Sequence, residues 1–478
     1  MSKRLAVLIA AAIVPALTFA VPAQACAQYP YRLIDLGTFG GPSSFLDEPD
    51  IPLTSQGVVV GVADTATVDT DSPNCPTAGY CDGYNQHAFA WRDGRLHDLG
   101  ALPGKQNSSG IYELNSHGVG VGYSENGRHD PTGRAAGVAV LFKHGRVNSL
   151  GTLPGGAESF AVDITNQGQV AGDSSNGTPD PFPDPNVFFP WGTETRGFAW
   201  HNGKMHDLGT LGGADTLQYA QNDLGQIIGV SYTNNTLNPS TGYPTIDPYR
   251  WQQGHMTDLG TLGGHFGFAN WTNDQGEVVG QSDLAGDQNA QPFLWHNGHM
   301  YELPTIGGGY GFANWISPQG DISGSYLAPP DQKTFHGFLW HDGTMTDLLP
   351  VGGAPWAFGN AVNDRDQVVG NENTASNHEI IAALWSGGHG YDLNTLVAPN
   401  PLQMLSADYI TNQGDIFGHG VLPNGDQRVF LLIRNRGVPL PPTSTPARPL
   451  PAMTGPTDHR MSVHLALRAA GHAGSGQH

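Results

Sequence analysis

One sentence of sequence returns eight times along this chain, and that recurrence constrains the fold more than any local motif. A clear copy runs from Phe160 to Gly209: F-A-V-D-I-T-N-Q-G-Q-V-A-G-D-S, a polar stretch, then G-F-A-W-H-N-G-K-M-H-D-L-G. The next begins at once with T-L-G-G and closes at the D-L-G of Asp258. Self-similarity at roughly 40–50 residues marks a propeller or a solenoid. It also argues against an enzyme, because architecture already explains the repeated motifs.

Each copy resolves into four short strands. The first ends at a turn such as N-Q-G (Asn166–Gly168), echoed at Gly57, Gly118, Gly225, Gly276, Gly320 and Gly414. Gly there supplies the positive φ of a tight hairpin; the seventh copy has Asp366, which tolerates that region better than most residues. The second strand alternates and closes on Gly172, Gly280, Gly324 or Gly370. The third carries aromatic pairs two apart, hence on one face: Phe89/Trp91, Phe198/Trp200, Phe293/Trp295 and Phe338/Trp340. Asp-Gly or Asn-Gly then turns the chain into a fourth strand of M-x-D-L-G type, as at Met205–Gly209.

Eight first-to-third units occur, but the last runs into a Pro-rich tail with no fourth strand of its own. A spare fourth strand, Y-R-L-I-D-L-G at Tyr31–Gly37, stands at the start. An amino-terminal strand that completes the carboxy-terminal sheet leaves no open edge. The expected fold is all-β: a β-propeller of eight four-stranded blades closed by the N-terminal strand, with seven blades as the alternative.

D-L-G-T-L-G-G, the N-x-G-x-V-x-G hairpin and H-A-F-x-W at His87–Trp91 resemble the bacterial probable extracellular repeat family named for a His-Ala-Phe signature (HAF repeats). The resemblance spans nearly the whole chain after residue 25 and implies export and a repeat fold, with no activity or site attached. The His is matched at His87 alone, Gly197, Pro292 and Gly337 taking the equivalent or adjacent place elsewhere, so no role for it carries over.

The ends agree with export. Lys3 and Arg4 precede an apolar run, Leu5 to Ala20, and the small-residue stretch Ala23–Ala25, so residues 1–25 read as a secretory signal peptide. Cleavage there exposes Cys26, but a lipid-modification site wants Leu and a small residue where Ala23 and Gln24 stand. The expectation is therefore release, secreted or periplasmic, without a lipid anchor. No other segment approaches the ~20 apolar residues of a transmembrane span. Residues 26–436 form the repeat domain, and 437–478, rich in Pro, Gly and Ala, read as a flexible tail. Cys75 and Cys81 lie within a polar insertion and read as a local disulfide; a zinc site would need two further ligands, and only His87 is near.

A net charge of −21 argues against nucleic acid and anionic lipid as partners. No D-x-[DN]-x-[DN]-G calcium loop, G-x-S-x-G, H-E-x-x-H or P-loop occurs, so no metal, cofactor or catalytic residue is assigned and a monomer is expected. The Asp of D-L-G (Asp98, Asp207, Asp258, Asp347) recurs too often to be catalytic and reads as a structural hydrogen-bonding device. The unrepeated Asp163, His265 and Glu158 are the remaining enzymic candidates, and nothing singles them out. The long second-to-third loops of copies one, three and four share a face with the fourth-to-first loops, and long loops on a rigid scaffold usually carry binding. There the ligand-binding candidates are Phe266, Phe268, Trp271, Tyr310, Phe312, Trp315 and Trp356. Those rings, flanked by Asn, either stack on a carbohydrate or a protein segment at the channel mouth or fill the wedge between blades. The functional expectation is a secreted binding or scaffold module acting on an unknown extracellular ligand, with a carbohydrate-active glycosidase or lyase as the alternative.

Overall fold

The computed structural model describes residues 28–46, 57–76, 80–104, 106–182, 188–239, 241–329, 334–351, 356–373 and 380–442. The segment 1–25 read as a signal peptide, Cys26 and residues 443–478 of the carboxy-terminal segment lie outside them. The described chain is a β-propeller without α-helix, its thirty-two strands falling into consecutive antiparallel groups of four. The inner, first strands of these units run Gly40–Phe45, Ser109–Leu114, Ser159–Ile164, Thr216–Gln221, Gly263–Thr272, Gly311–Ile316, Trp356–Val362 and Gln403–Ile410. One parallel bridge each, Ile246–Phe266 and Phe335–Trp356, joins the fourth unit to the fifth and the sixth to the seventh. The amino-terminal strand Tyr31–Asp35 pairs with the last strand, Gln427–Arg434, with Leu33 opposite Leu432.

Local chemistry sets the hairpins. The turn glycines have positive φ, and Asp366 adopts 56° in their place. The closing Gly of each second strand answers a bulge in the strand beside it. Val162, Asn270, Asn314 and Asn360 are extra residues on their inner strands, so the opposing Gly sits under a displaced carbonyl. A Cβ on Gly280 would lie 1.8 Å from the Phe268 carbonyl oxygen.

Apolar side chains fill the wedges between units. Phe89, Phe198, Phe293 and Phe338 are fully buried. Val59 and Phe89 of the first unit pack with Leu36, Phe417, Val429 and Leu431 of the last. Backbone N–H groups of Gln427 and Val429 donate to the Ser43 and Ser44 hydroxyls across the same junction.

Between units, the turn amide at the end of the inner strand has two tasks. The Asn222 Oδ1 accepts from the N–H groups of Leu224 and Gln226, closing its own turn, while Nδ2 donates 2.8 Å to the Asn273 carbonyl of the next unit. Asn273 repeats this toward Ser317, Asn363 toward Thr411, and Asn115 toward Thr165. Thr165 replaces Asn in the third unit, where the Asn166 N–H donates to Asp223 of the following unit at 2.8 Å, a rung that the Asp223 N–H repeats toward Asp274. Removing the Asn222 side chain strips a buried carbonyl and two turn N–H groups of their partners. Asn222→Ala should therefore cost about 1–3 kcal/mol in denaturant unfolding. A loss below ~0.5 kcal/mol would show that the bridge is not needed.

Candidate functional site

The aromatic candidates come together on the inner strands and pack against one another. Trp271 is 6% exposed and stacks on Trp315 at a centroid distance of 4.0 Å. Trp315, half-buried, meets Tyr409 of the last unit edge-on at 5.4 Å, two units away. Phe266, Tyr310 and Phe312 are buried, while Phe268 and Trp356 are half-buried. Phe268 packs on Tyr219 at 4.7 Å, and Trp356 on Phe335 at 5.4 Å. The flanking asparagines face the scaffold: Asn270 Nδ2 donates to the Ala313 carbonyl, Asn314 to Gly359 and Asn360 to Ala407.

The other candidates lie apart. Asp163 is buried and accepts from Gln218 Nε2; Glu158 is fully buried; His265 Nδ1 lies 2.9 Å from Asp287 Oδ2. The D-L-G carboxylates cap their own turns, Asp98, Asp207 and Asp258 accepting from the N–H of Gly100, Gly209 and Gly260. Cys75 and Cys81 form the disulfide, so the zinc alternative falls away. The signature His also needs correcting. His336 holds the place of His87, for His87 Nδ1 lies 3.0 Å from Asp98 and His336 Nδ1 2.9 Å from Asp347, each on the neighbouring fourth strand.

A different constellation opens on the opposite face, where the two hairpins of each unit turn. A cleft of about 440 Å³ there is walled by Glu277, Gln319, Trp340 and Asp364 and floored by Asp321, His341 and Asp366. Asp321 follows the turn of the sixth unit, His341 ends its third strand, and Asp366 comes from the turn of the seventh. One ligand atom from each lies within 4.8 Å of the others. His341 Nδ1 is 2.6 Å from Asp321 Oδ1 and 3.3 Å from Asp366 Oδ1, and the hydrogen bond to Asp321 raises the imidazole above its ordinary value. Asp364 Oδ1 is buried without a partner in the same cleft, and Glu277 is paired with His296 at 3.0 Å. Sequence spacing hides this set because its members come from two copies, although the His341–Asp321 pair repeats His296–Glu277 of the preceding unit and Asp366 stands in the recurrent turn.

No protein-family model matches the chain, and neither does any curated protein. Solved structures that resemble it include the acylaminoacyl peptidase of Pyrococcus horikoshii (12% identity over 81% of this chain and 59% of that one, TM-score 0.43). The dipeptidyl peptidase 4 of Porphyromonas gingivalis is similar at 11% identity over 77% of this chain and 56% of that one, TM-score 0.47. The β-propeller domain of the Trilobed protease from Pyrococcus furiosus is similar at 10% over 73% and 95%, TM-score 0.41. The chain spans a little over half the length of the two peptidases. These neighbours correct the expectation of a binding or scaffold module and of its glycosidase or lyase alternative: they are peptidases and the propeller domain of a protease. At these identities the likeness is one of fold and transfers no activity. Among the described residues no helix is long and apolar enough to cross a membrane.

Buried carboxyls near the loop face dominate the electrostatics. Burial pushes Asp64, Glu158, Asp215 and Glu372 up to about 8 and Glu125 up to about 7. Their partners include backbone donors, Ser43 N–H to Asp64 at 2.7 Å and Thr195 N–H to Asp215 at 2.7 Å. The unfolded chain releases these protons near pH 4, the folded chain only near pH 7–8. Stability is thus greatest below about pH 4–5 on this account and falls as pH rises through 8. Thermal melts should show a midpoint lower at pH 8.5 than at pH 5.5 by on the order of 5 °C or more. A higher midpoint at pH 8.5 would contradict these assignments.

Proposed function

We propose that this chain is an exported, closed propeller of eight blades, of the HAF-repeat kind, that holds a divalent metal ion at Asp321, His341 and Asp366. The three convergent donors carry this reading. One imidazole nitrogen with two carboxylates suits borderline divalent metals such as Zn²⁺ or Mn²⁺, and the open cleft leaves coordination positions for water or a substrate. Asp366 replaces the Gly of other copies at a turn with positive φ, which places a carboxylate where the repeat elsewhere has none. The eight four-strand units and the pairing of Tyr31–Asp35 with the last strand support the reading of eight blades. Export rests on the segment read at residues 1–25, and the Cys75–Cys81 bridge suits an oxidising compartment.

Metal and proton compete for His341. Calorimetry with Zn²⁺ and Mn²⁺ at pH 7.5 should find one equivalent bound, with affinity falling as the imidazole protonates toward pH 5.5. His341→Ala should weaken binding at least tenfold while keeping the native circular dichroism. Absence of binding, or unchanged affinity in the variant, would refute the site.

A further inference from the structure

The His341 cleft is one instance of a junction that recurs from unit to unit. The residue after a turn reaches the turn residue of the following unit. A Cβ added to Gly276 would lie 2.9 Å from Gln226 Oε1, one on Gly320 3.7 Å from Glu277 Oε2, and one on Gly414 3.7 Å from Gln367 Oε1. The same residue meets the end of its own third strand: Gln226 Nε2 donates to Gln252 Oε1 at 3.3 Å and Gln367 Nε2 to the Ser386 hydroxyl at 3.2 Å. Three side-chain positions from two units therefore converge at such a junction.

Two successive junctions hold an imidazole beside a carboxylate. Glu277 Oε1 is 3.0 Å from His296 Nδ1, and Asp321 Oδ1 is 2.6 Å from His341 Nδ1. They differ at two places. The third position is Gly320 in the first and Asp366 in the second, where its Oδ1 stands 3.3 Å from His341 Nδ1. The residue after the histidine is Asn297 in the first, with Nδ2 2.6 Å from His296 Nε2. It is Asp342 in the second, with Oδ2 3.4 Å from His341 Nε2. An amide nitrogen only donates, so Asn297 occupies the Nε2 lone pair and leaves the ring proton on Nδ1, toward Glu277. An ionised carboxylate only accepts, so Asp342 favours a proton on Nε2 and leaves Nδ1 able to give up its own to a metal.

Resting on the reading of Asp321, His341 and Asp366 as a metal site, we propose that residues 366 and 342 are its specificity-determining positions. The Glu277–His296 junction is then the same site held closed by Gly320 and Asn297. Asp366 supplies the third donor, and Asp342 is a positioning residue that sets which imidazole nitrogen faces the ion. With carboxylates at 320 and 297, the Glu277–His296 junction takes the same class of borderline divalent ion.

Zn²⁺ calorimetry and Co²⁺ absorption spectra on the full chain test this. Asp342→Asn should weaken binding by about tenfold and change the Co²⁺ spectrum, and Asp342→Glu should restore both. Gly320→Asp combined with Asn297→Asp should raise the bound metal from one equivalent to two, and adding His296→Ala should return it to one. Gly320 has a φ of 97°, so circular dichroism must show that the combined variant folds. The reverse exchange, Asp366→Gly with Asp342→Asn, puts glycine at a turn that accepts it and should abolish binding. Unchanged affinity in Asp342→Asn, a folded combined variant that still binds one equivalent, or binding retained by the reverse exchange would overturn the proposal and leave the metal reading standing. No metal bound by the parent would overturn both.

Discussion

The turn asparagine is the interaction on which the rest of this molecule depends. A sheet with two apolar faces packs against its neighbours without preferring one rotation over another, because hydrophobic burial is not directional. The amide supplies direction. By accepting from its own turn and donating to the next unit's carbonyl, Asn222 makes the shape of one hairpin and the placement of the following sheet a single event. Asn273, Asn363 and Asn115 do the same, and Asn270, Asn314 and Asn360 add a second tier of rungs deeper along the inner strands. The bulge at those positions points the amide at the next unit and demands Gly opposite.

Much of this architecture was legible in the sequence. Period-two alternation, positive-φ glycines and Asn-Gly turns located the four strands of each copy, and the spare Y-R-L-I-D-L-G revealed the exchanged strand at Tyr31–Asp35. The recurrent Asp of D-L-G read as structural for the right reason: its carboxylate binds the N–H two residues on. Other features were out of reach. A bulge adds one residue without disturbing the strand pattern, so Asn270 looked like a companion to Trp271 for a ligand, whereas its amide belongs to Ala313. The partner of each turn amide lies a whole copy away. His336 escaped notice because Gly337 stands where the signature has Ala. The Asp321–His341–Asp366 cleft joins residues of two copies, and only the substitution of Asp366 for the turn Gly was visible in the sequence.

The distribution of charge ties the fold to its chemistry. The chain carries twice as many acidic as basic residues, 42 against 21, and several carboxyls are placed in the interior. There they cap backbone N–H groups, as Asp64 does for Ser43, and remain protonated into the neutral range. Where carboxylates meet histidine at the surface, as at His341, a proton or a metal ion balances them. Where they meet only an amide, as Asp163 meets Gln218, burial raises the carboxyl above its ordinary range. A scaffold with this many buried carboxyls is one whose stability responds to pH.

The central claim is that the repeats form one ring whose last sheet is finished by the first strand. Hydrogen exchange followed by mass spectrometry, on the chain with and without residues 28–37, tests it most directly. In the parent, amides of Gln427–Arg434 should exchange as slowly as those of Ile227–Tyr232, whose strand is central to its sheet. Without the amino-terminal strand, protection should collapse in Gln427–Arg434 and fall in the adjoining first and last units. Unchanged protection there would contradict the account, because the last sheet would then stand without the strand that is held to complete it.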